Sequence, residues 1–407
     1  MTRGVLLSGM FRSGTTLASR ILSASPRTLV VSDPFVYFFK AYRNFHLERA
    51  GATGWHPDEP TSDHFCSAHE DVNRAILDAD LSERMSPERV ELLRRDIRDW
   101  KTEQHPELCR KLENLRAGTF AEVYAQLIAL SVDLYGTPAT ELAGTKVSWS
   151  EEFLPALSRA FPDTRFVLLV RDLRAVVASQ NAMEGKPRGK RPLLFYVRHW
   201  RKSVAFTRRL SQHMPELEGR VLVLRYEDLV RDVARHARDL ASFLDLSFDP
   251  AMTEAASFRA VDGRGGWQHN SSFETPGEGV YTNSLARWKE ALSEAEVEAI
   301  NALAGPELAL LGYELPDEVR DPIECLGTKC EPDFAELATW IQPFPCAAYL
   351  RDDHARTREY ALESVRRAVI EGEADLPGAL HSGLFLDEDV LADLRASWIT
   401  SPIRPVP

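Results

Sequence analysis

The chain has 407 residues, enough for one large domain or for two to three smaller ones with their own cores. Its composition, 44% hydrophobic and 27% charged, is that of a soluble globular fold. A net charge of −12 excludes a general affinity for nucleic acid, which needs a basic field, so any anionic ligand must be met by local cations.

No apolar stretch approaches the roughly 18 residues of a membrane span, and no signal peptide precedes the first strand, so a cytoplasmic location is expected. The five cysteines, Cys66, Cys109, Cys325, Cys330 and Cys346, are scattered and odd in number, which argues against a disulfide framework. No histidine or fourth cysteine joins Cys325, Cys330 and Cys346 in a metal-ligand spacing, so free thiols and no metal are expected.

In chain order, the first element is a short apolar run, Val5-Leu6-Leu7, followed by Gly9-Met10-Phe11-Arg12-Ser13-Gly14-Thr15-Thr16 and a helical pattern from Leu17 to Leu22. Strand, glycine-punctuated loop and helix describe a phosphate cradle, in which backbone N–H groups and the positive end of the helix dipole converge on an anion. The glycine spacing matches the triphosphate loop GxxxxGK[ST], but Thr15 stands where its lysine belongs. A cation is instead carried inside the loop by Arg12, which argues for an anion other than a Mg-bound triphosphate.

Further strands are expected at Leu29 to Ser32, Glu141 to Lys146, Arg165 to Val170 and Val221 to Arg225, alternating with helical patterns as in a parallel α/β sheet. Residues 51–114 are charged and helical in places and read as an excursion from the sheet, a candidate cap over an acceptor. The basic, breaker-rich stretch from Glu184 to Pro192 reads as a solvated connection or as a guide for an anionic substrate. Ser293 and Glu296 form a capping box that starts a helix. After Tyr313 the sheet signal ends, which places a domain boundary near Leu315 and makes 316–407 a mostly helical appendage.

Arg171 follows the buried strand Arg165 to Val170, and Ser179 lies eight residues on, in the next helix. Ligands of open α/β sheets bind beyond the carboxyl ends of the strands, where Arg171 is placed to hold a phosphate. Tyr226 stands at another strand end, in Leu224-Arg225-Tyr226-Glu227-Asp228.

Together these residues resemble the sulfotransferases that use 3′-phosphoadenosine 5′-phosphosulfate (PAPS), over about Arg3 to Tyr313. The resemblance implies a P-loop-like parallel sheet flanked by helices and a 5′-phosphosulfate loop at Arg12, Ser13, Gly14, Thr15 and Thr16. It further implies a 3′-phosphate pair in Arg171 and Ser179, and an adenine contact at Tyr226. PAPS is then the donor and PAP the product, with no metal and with a hydroxyl, or secondarily an amine, of a small-molecule, glycolipid or carbohydrate acceptor. A homodimer is compatible with this reading.

Lys146, at the end of its strand, resembles the lysine that many members aim at the transferred group. Cytosolic small-molecule members carry a histidine two residues later, where this chain has Ser148. The bacterial carbohydrate and tyrosylprotein branches use a carboxylate at the end of the second strand, and Asp33 stands there. Asp33 is therefore the expected general base, with burial against Phe35 and Tyr37 needed to raise an ordinary aspartate pKa of about 3.9. His46 and His69 are the reserve candidates. Ser271 or Ser272, with Arg287, matches those branches' closure over the 3′-phosphate. Two other readings stay open: a small-molecule or nucleotide kinase, against which the missing loop lysine speaks, and a PAP-binding module without catalysis.

Overall fold

The computed structural model describes residues 2–32, 34–60, 76–101, 105–181, 190–258, 285–375, 384–400 and 404–405. Five strands lie where the apolar runs predict them: β1 (Arg3–Gly9), β2 (Thr28–Ser32), β3 (Leu142–Lys146), β4 (Arg165–Val170) and β5 (Val221–Arg225). They form one sheet in the order β2-β3-β1-β4-β5, with every neighbouring pair parallel. All residues of β2 and β3 are buried, as the near-continuous apolar runs of a covered parallel sheet require. Leu7 of β1 stands opposite Lys146 of β3 and Val167 of β4, and Ser32 of β2 also stands opposite Lys146. The carboxyl ends of β1, β2 and β3 therefore share one edge.

The chain divides into two compact units. The first comprises Met1–Gly51, Asp71–Arg171 and Leu210–Thr282 and contains the whole sheet. Its flanking helices include α1 (Thr15–Ser23), α2 (Val36–Arg49), α3 (Pro87–Lys101) and α4 (Phe120–Tyr135). Thr119 caps α4 in a reciprocal box, its Oγ1 accepting from Glu122 N at 3.1 Å while Glu122 Oε2 accepts from Thr119 N at 2.7 Å. Aromatic pairs lock α2 onto α4: Phe38 lies 5.3 Å from Tyr124, and Tyr42 lies 4.8 Å from Phe120, between ring centroids. The expected excursion supplies α3 and the short helix Pro106–Lys111, and Arg89 of α3 pairs with Glu48 of α2.

The second unit comprises Ala52–Glu70, Asp172–Arg209 and Asn283–Pro407. It contains α5 (Leu173–Asn181), α7 (Glu294–Leu310), α8 (Asp353–Glu371) and α9 (Glu388–Thr400), and most of α6 (Leu193–Gln212). The capping box at Ser293 and Glu296 is present and opens α7. Glu363 of α8 is buried between two arginines of α6, at 2.8 Å from Arg198 and 2.6 Å from Arg201, while Arg366 pairs with Glu307 of α7. Charges this deep persist only when paired, so these contacts fix how α6, α7 and α8 meet. Val369, Ile370, Leu391, Leu394 and Trp398 form the apolar core beside them. Residues 316–407 thus belong to the same unit as 172–209 and 283–315. A short parallel pair, Glu318–Val319 with Arg404–Pro405, adds strand to a region whose sequence carries no sheet signal. Among the described residues, no helix is long and apolar enough to cross a membrane.

Candidate functional site

The loop between β1 and α1 has two residues of positive φ, a conformation that is costly at the arginine and free at the glycine. Arg12 has φ +68° and Gly14 has φ +89°, both in the left-handed region that L side chains avoid. Only glycine fits at position 14, because a Cβ there would run into the ring of Tyr226. Gly14 is the N-cap residue of α1, which has no side-chain cap bond and no acidic residue in its first turn. The amides at Thr15 and Thr16 therefore form the positive end of the helix dipole with no cap side chain or first-turn carboxylate to accept from them. Thr15 is buried and Thr16 exposed. Ser13 is fully buried, and its Oγ has no hydrogen-bond partner among the described residues. A buried hydroxyl left unpaired carries a desolvation cost, which an anion in the loop would offset.

Arg171, at the end of β4, reaches this loop. Its Nη1 donates to the backbone oxygen of Arg12 at 2.8 Å, and its guanidinium carbon lies 4.2 Å from the centroid of the Tyr226 ring. Tyr226, the residue after β5, is 7% exposed and Arg171 5%. One aromatic ring thus touches the loop glycine and carries the strand-end arginine. The sequence suggests Tyr226 only as an adenine contact; its packing on Gly14 has no sequence signal.

Lys146 is buried at the end of β3, between the ends of β1 and β2. The turn after it is stitched to β1: Val147 N donates to Leu7 O at 2.9 Å, Trp149 N to Gly9 O at 3.3 Å, and Ser150 N to Ser8 Oγ at 3.2 Å. Trp149 has φ +62°, an outlier for a bulky side chain, and its ring is half-buried. Its Nε1 donates to Met10 Sδ at 2.9 Å and its ring meets that of Phe11 edge-on at 4.8 Å. Trp149 is a site residue without a sequence signal, since nothing in Lys146-Val147-Ser148-Trp149 announces a left-handed backbone. His105 is a second such residue. Fully buried, its Nε2 lies 3.0 Å from Ser32 O, so the segment before Pro106–Lys111 is tied to the end of β2.

The structure brings Arg12, Ser13, Gly14, Thr15, Thr16, Lys146, Arg171 and Tyr226 into the first unit. Ser179, buried in α5, and Arg287, half-buried at the start of the helix Trp288–Ala291, belong to the second. Asp33, His69, Cys66, Ser271 and Ser272 lie outside the described residues, as do residues 184–189 of the basic stretch. His46, the other reserve base, is buried in the last turn of α2 with its Nε2 3.8 Å from Glu83 Oε1. Burial lowers its pKa, the nearby Glu83 charge opposing that shift and Arg49 adding to it.

Residues 5–250 match the sequence pattern described as the Sulfotransferase family. A Caenorhabditis elegans protein named "Putative protein-tyrosine sulfotransferase" is 24% identical over 204 residues, 49% of this chain and 76% of that one. Human carbohydrate sulfotransferase 6 is 31% identical over 179 residues, 39% of this chain and 44% of that one. The solved sulfotransferase domain of the Synechococcus PCC 7002 olefin synthase is 17% identical with a TM-score of 0.43, covering 78% of this chain and 96% of that domain.

His46 gives a pH test of the first unit. With its pKa depressed in the folded protein, the unfolded chain binds the extra proton below the ordinary imidazole range near 6.5, so its contribution to stability falls on acidification. The stability difference between wild type and His46→Gln should shrink between about pH 7.5 and 5.5 in thermal melts. A difference that grows on acidification would show that the Glu83 charge outweighs burial.

Proposed function

Because this chain belongs to the sulfotransferase family, we propose that it moves a sulfuryl group from PAPS to a hydroxyl of a small-molecule or carbohydrate acceptor. The observation that carries the donor assignment is the uncapped start of α1 with the buried, unpartnered Ser13 hydroxyl, under a loop clamped by Arg171. That arrangement fits a phosphosulfate: donors in excess, a cation nearby and no carboxylate in the first turn. Without the loop lysine it fits a Mg-bound triphosphate poorly.

In this assignment Arg12, Ser13 and the amides at Thr15 and Thr16 hold the 5′-phosphosulfate. Arg171 takes the 3′-phosphate, and Ser179, Arg287 and one of Ser271 and Ser272 keep the same assignment from their sequence positions. Tyr226 supports the adenine side. Transfer is an in-line displacement: the sulfur–oxygen bond to the donor phosphate breaks as the acceptor oxygen bonds to sulfur, and PAP leaves. Lys146 offsets charge on the oxygens around sulfur, and Asp33 takes the acceptor proton. Holding both partners in line supplies the remaining catalysis, by analogy with phosphoryl transfer.

For the acceptor, the half-buried Trp149 ring beside Phe11 and Met10 offers a flat apolar surface next to the proposed sulfuryl loop. A sugar or aryl ring packs well on such a surface. The relatives named for tyrosine and carbohydrate sulfation carry acceptors of those two kinds in their names.

Two measurements test this reading. Calorimetry in EDTA should show PAP binding at low micromolar affinity, roughly 8 kcal/mol, and no heat would remove the donor assignment. Asp33→Asn should keep PAP affinity while label transfer from PAPS into a metabolite extract falls about 10²- to 10⁴-fold, the usual contribution of a general base. Near-normal transfer in that variant would send the proton elsewhere.

A further inference from the structure

We propose that Arg171 and Tyr226 couple the two ends of the donor, so that the residue assigned to the 3′-phosphate also sets the shape of the 5′-phosphosulfate loop. This inference rests on the donor reading above. Its basis is a closed chain of contacts within the first unit. Arg171 Nη1 donates to Arg12 O at 2.8 Å, the Arg171 guanidinium stacks 4.2 Å from the Tyr226 centroid, and that ring fills the space a Cβ on Gly14 would take. Arg12 and Gly14, the two left-handed residues of the loop, are therefore each held by a group outside it.

The physical consequence follows from peptide geometry. The oxygen of Arg12 and the N–H of Ser13 belong to one planar group, so fixing the oxygen fixes the direction of that amide. The Ser13 amide donates to Met10 O at 3.1 Å, which closes the turn that presents the Ser13 hydroxyl. A left-handed arginine is disfavoured relative to its ordinary conformation, so the loop needs outside contacts to keep its shape. Arg171 supplies one at Arg12, and Tyr226 supplies the other at Gly14 while holding the guanidinium flat.

A purely local 3′-phosphate ligand would leave the 5′ end untouched when removed. Under the coupling proposed here, loss of Arg171 loosens the loop, and ligands without a 3′-phosphate suffer as well. Because coupling between two sites is reciprocal, an anion in the loop should also improve the hold on the 3′-phosphate.

The test compares three ligands: PAP, adenosine 5′-phosphosulfate, which lacks the 3′-phosphate, and inorganic pyrophosphate, which lacks the nucleoside too. Arg171→Ala should weaken adenosine 5′-phosphosulfate and pyrophosphate by about fivefold or more, and PAP by about fiftyfold or more. Arg171→Met, closer in shape, gives the same comparison should the alanine variant melt early. Tyr226→Leu should weaken pyrophosphate by about threefold or more, which adenine stacking cannot explain, and Tyr226→Phe should restore binding to within about twofold. Arginine variants that lose PAP while the other two ligands stay within about twofold of wild type would overturn the coupling and leave the donor reading standing. A wild-type protein that binds none of the three would remove the donor reading and the coupling with it.

Discussion

The parallel sheet places β1 between β3 and β4, and the candidate site depends on that placement. Parallel strands present their carboxyl ends at one edge. A central β1 therefore delivers its glycine loop beside Lys146 from one neighbour and Arg171 from the other. β5, next to β4, adds Tyr226 at its own end, and the ring closes on Gly14. Had β1 been an edge strand, the loop would have had a neighbour on one side only. The turn after Lys146 repeats the logic, bonding back to Leu7, Ser8 and Gly9 along the end of β1.

The chain as a whole is acidic, yet the described part of this loop region is served by arginine and lysine. Local fields decide binding at short range, where burial weakens solvent screening. Arg171 is nearly enclosed, so its charge acts in a medium of lower dielectric than water while its planar fork stays fixed by a ring and a carbonyl. The second unit uses buried arginine differently. There Arg198, Arg201 and Arg366 are matched by Glu363 and Glu307, and the pairs hold helices together. Buried arginine is held by a carbonyl and a ring in the first case and by carboxylates that join helices in the second.

The five strands, the glycine loop and the strand-end position of Arg171 were legible because each is written in contiguous residues: apolar runs, glycine spacing, a cation after a strand. The capping box at Ser293 was legible for the same reason. What the sequence hid is what distant segments make jointly. The Tyr226 ring against Gly14 joins residues more than two hundred positions apart, and His105 meets Ser32 from the far end of the excursion. The left-handed backbone of Trp149 follows from bonds to Gly9 and Met10, not from local propensity. Likewise, the apolar and ionic contacts of residues 316–407 with α6 and α7 make that stretch part of a larger unit, which punctuation by proline and acidic residues could not reveal.

The central claim is that one nucleotide spans the loop and Arg171. A crystal structure with PAP bound tests it most directly. The account predicts the 5′-phosphate within about 3 Å of Ser13 Oγ and the amides at Thr15 and Thr16, with the 3′-phosphate on an Arg171 that still holds Arg12 O. A nucleotide whose phosphates avoid the loop, or that binds with Arg171 released from Arg12 and turned away, would contradict it.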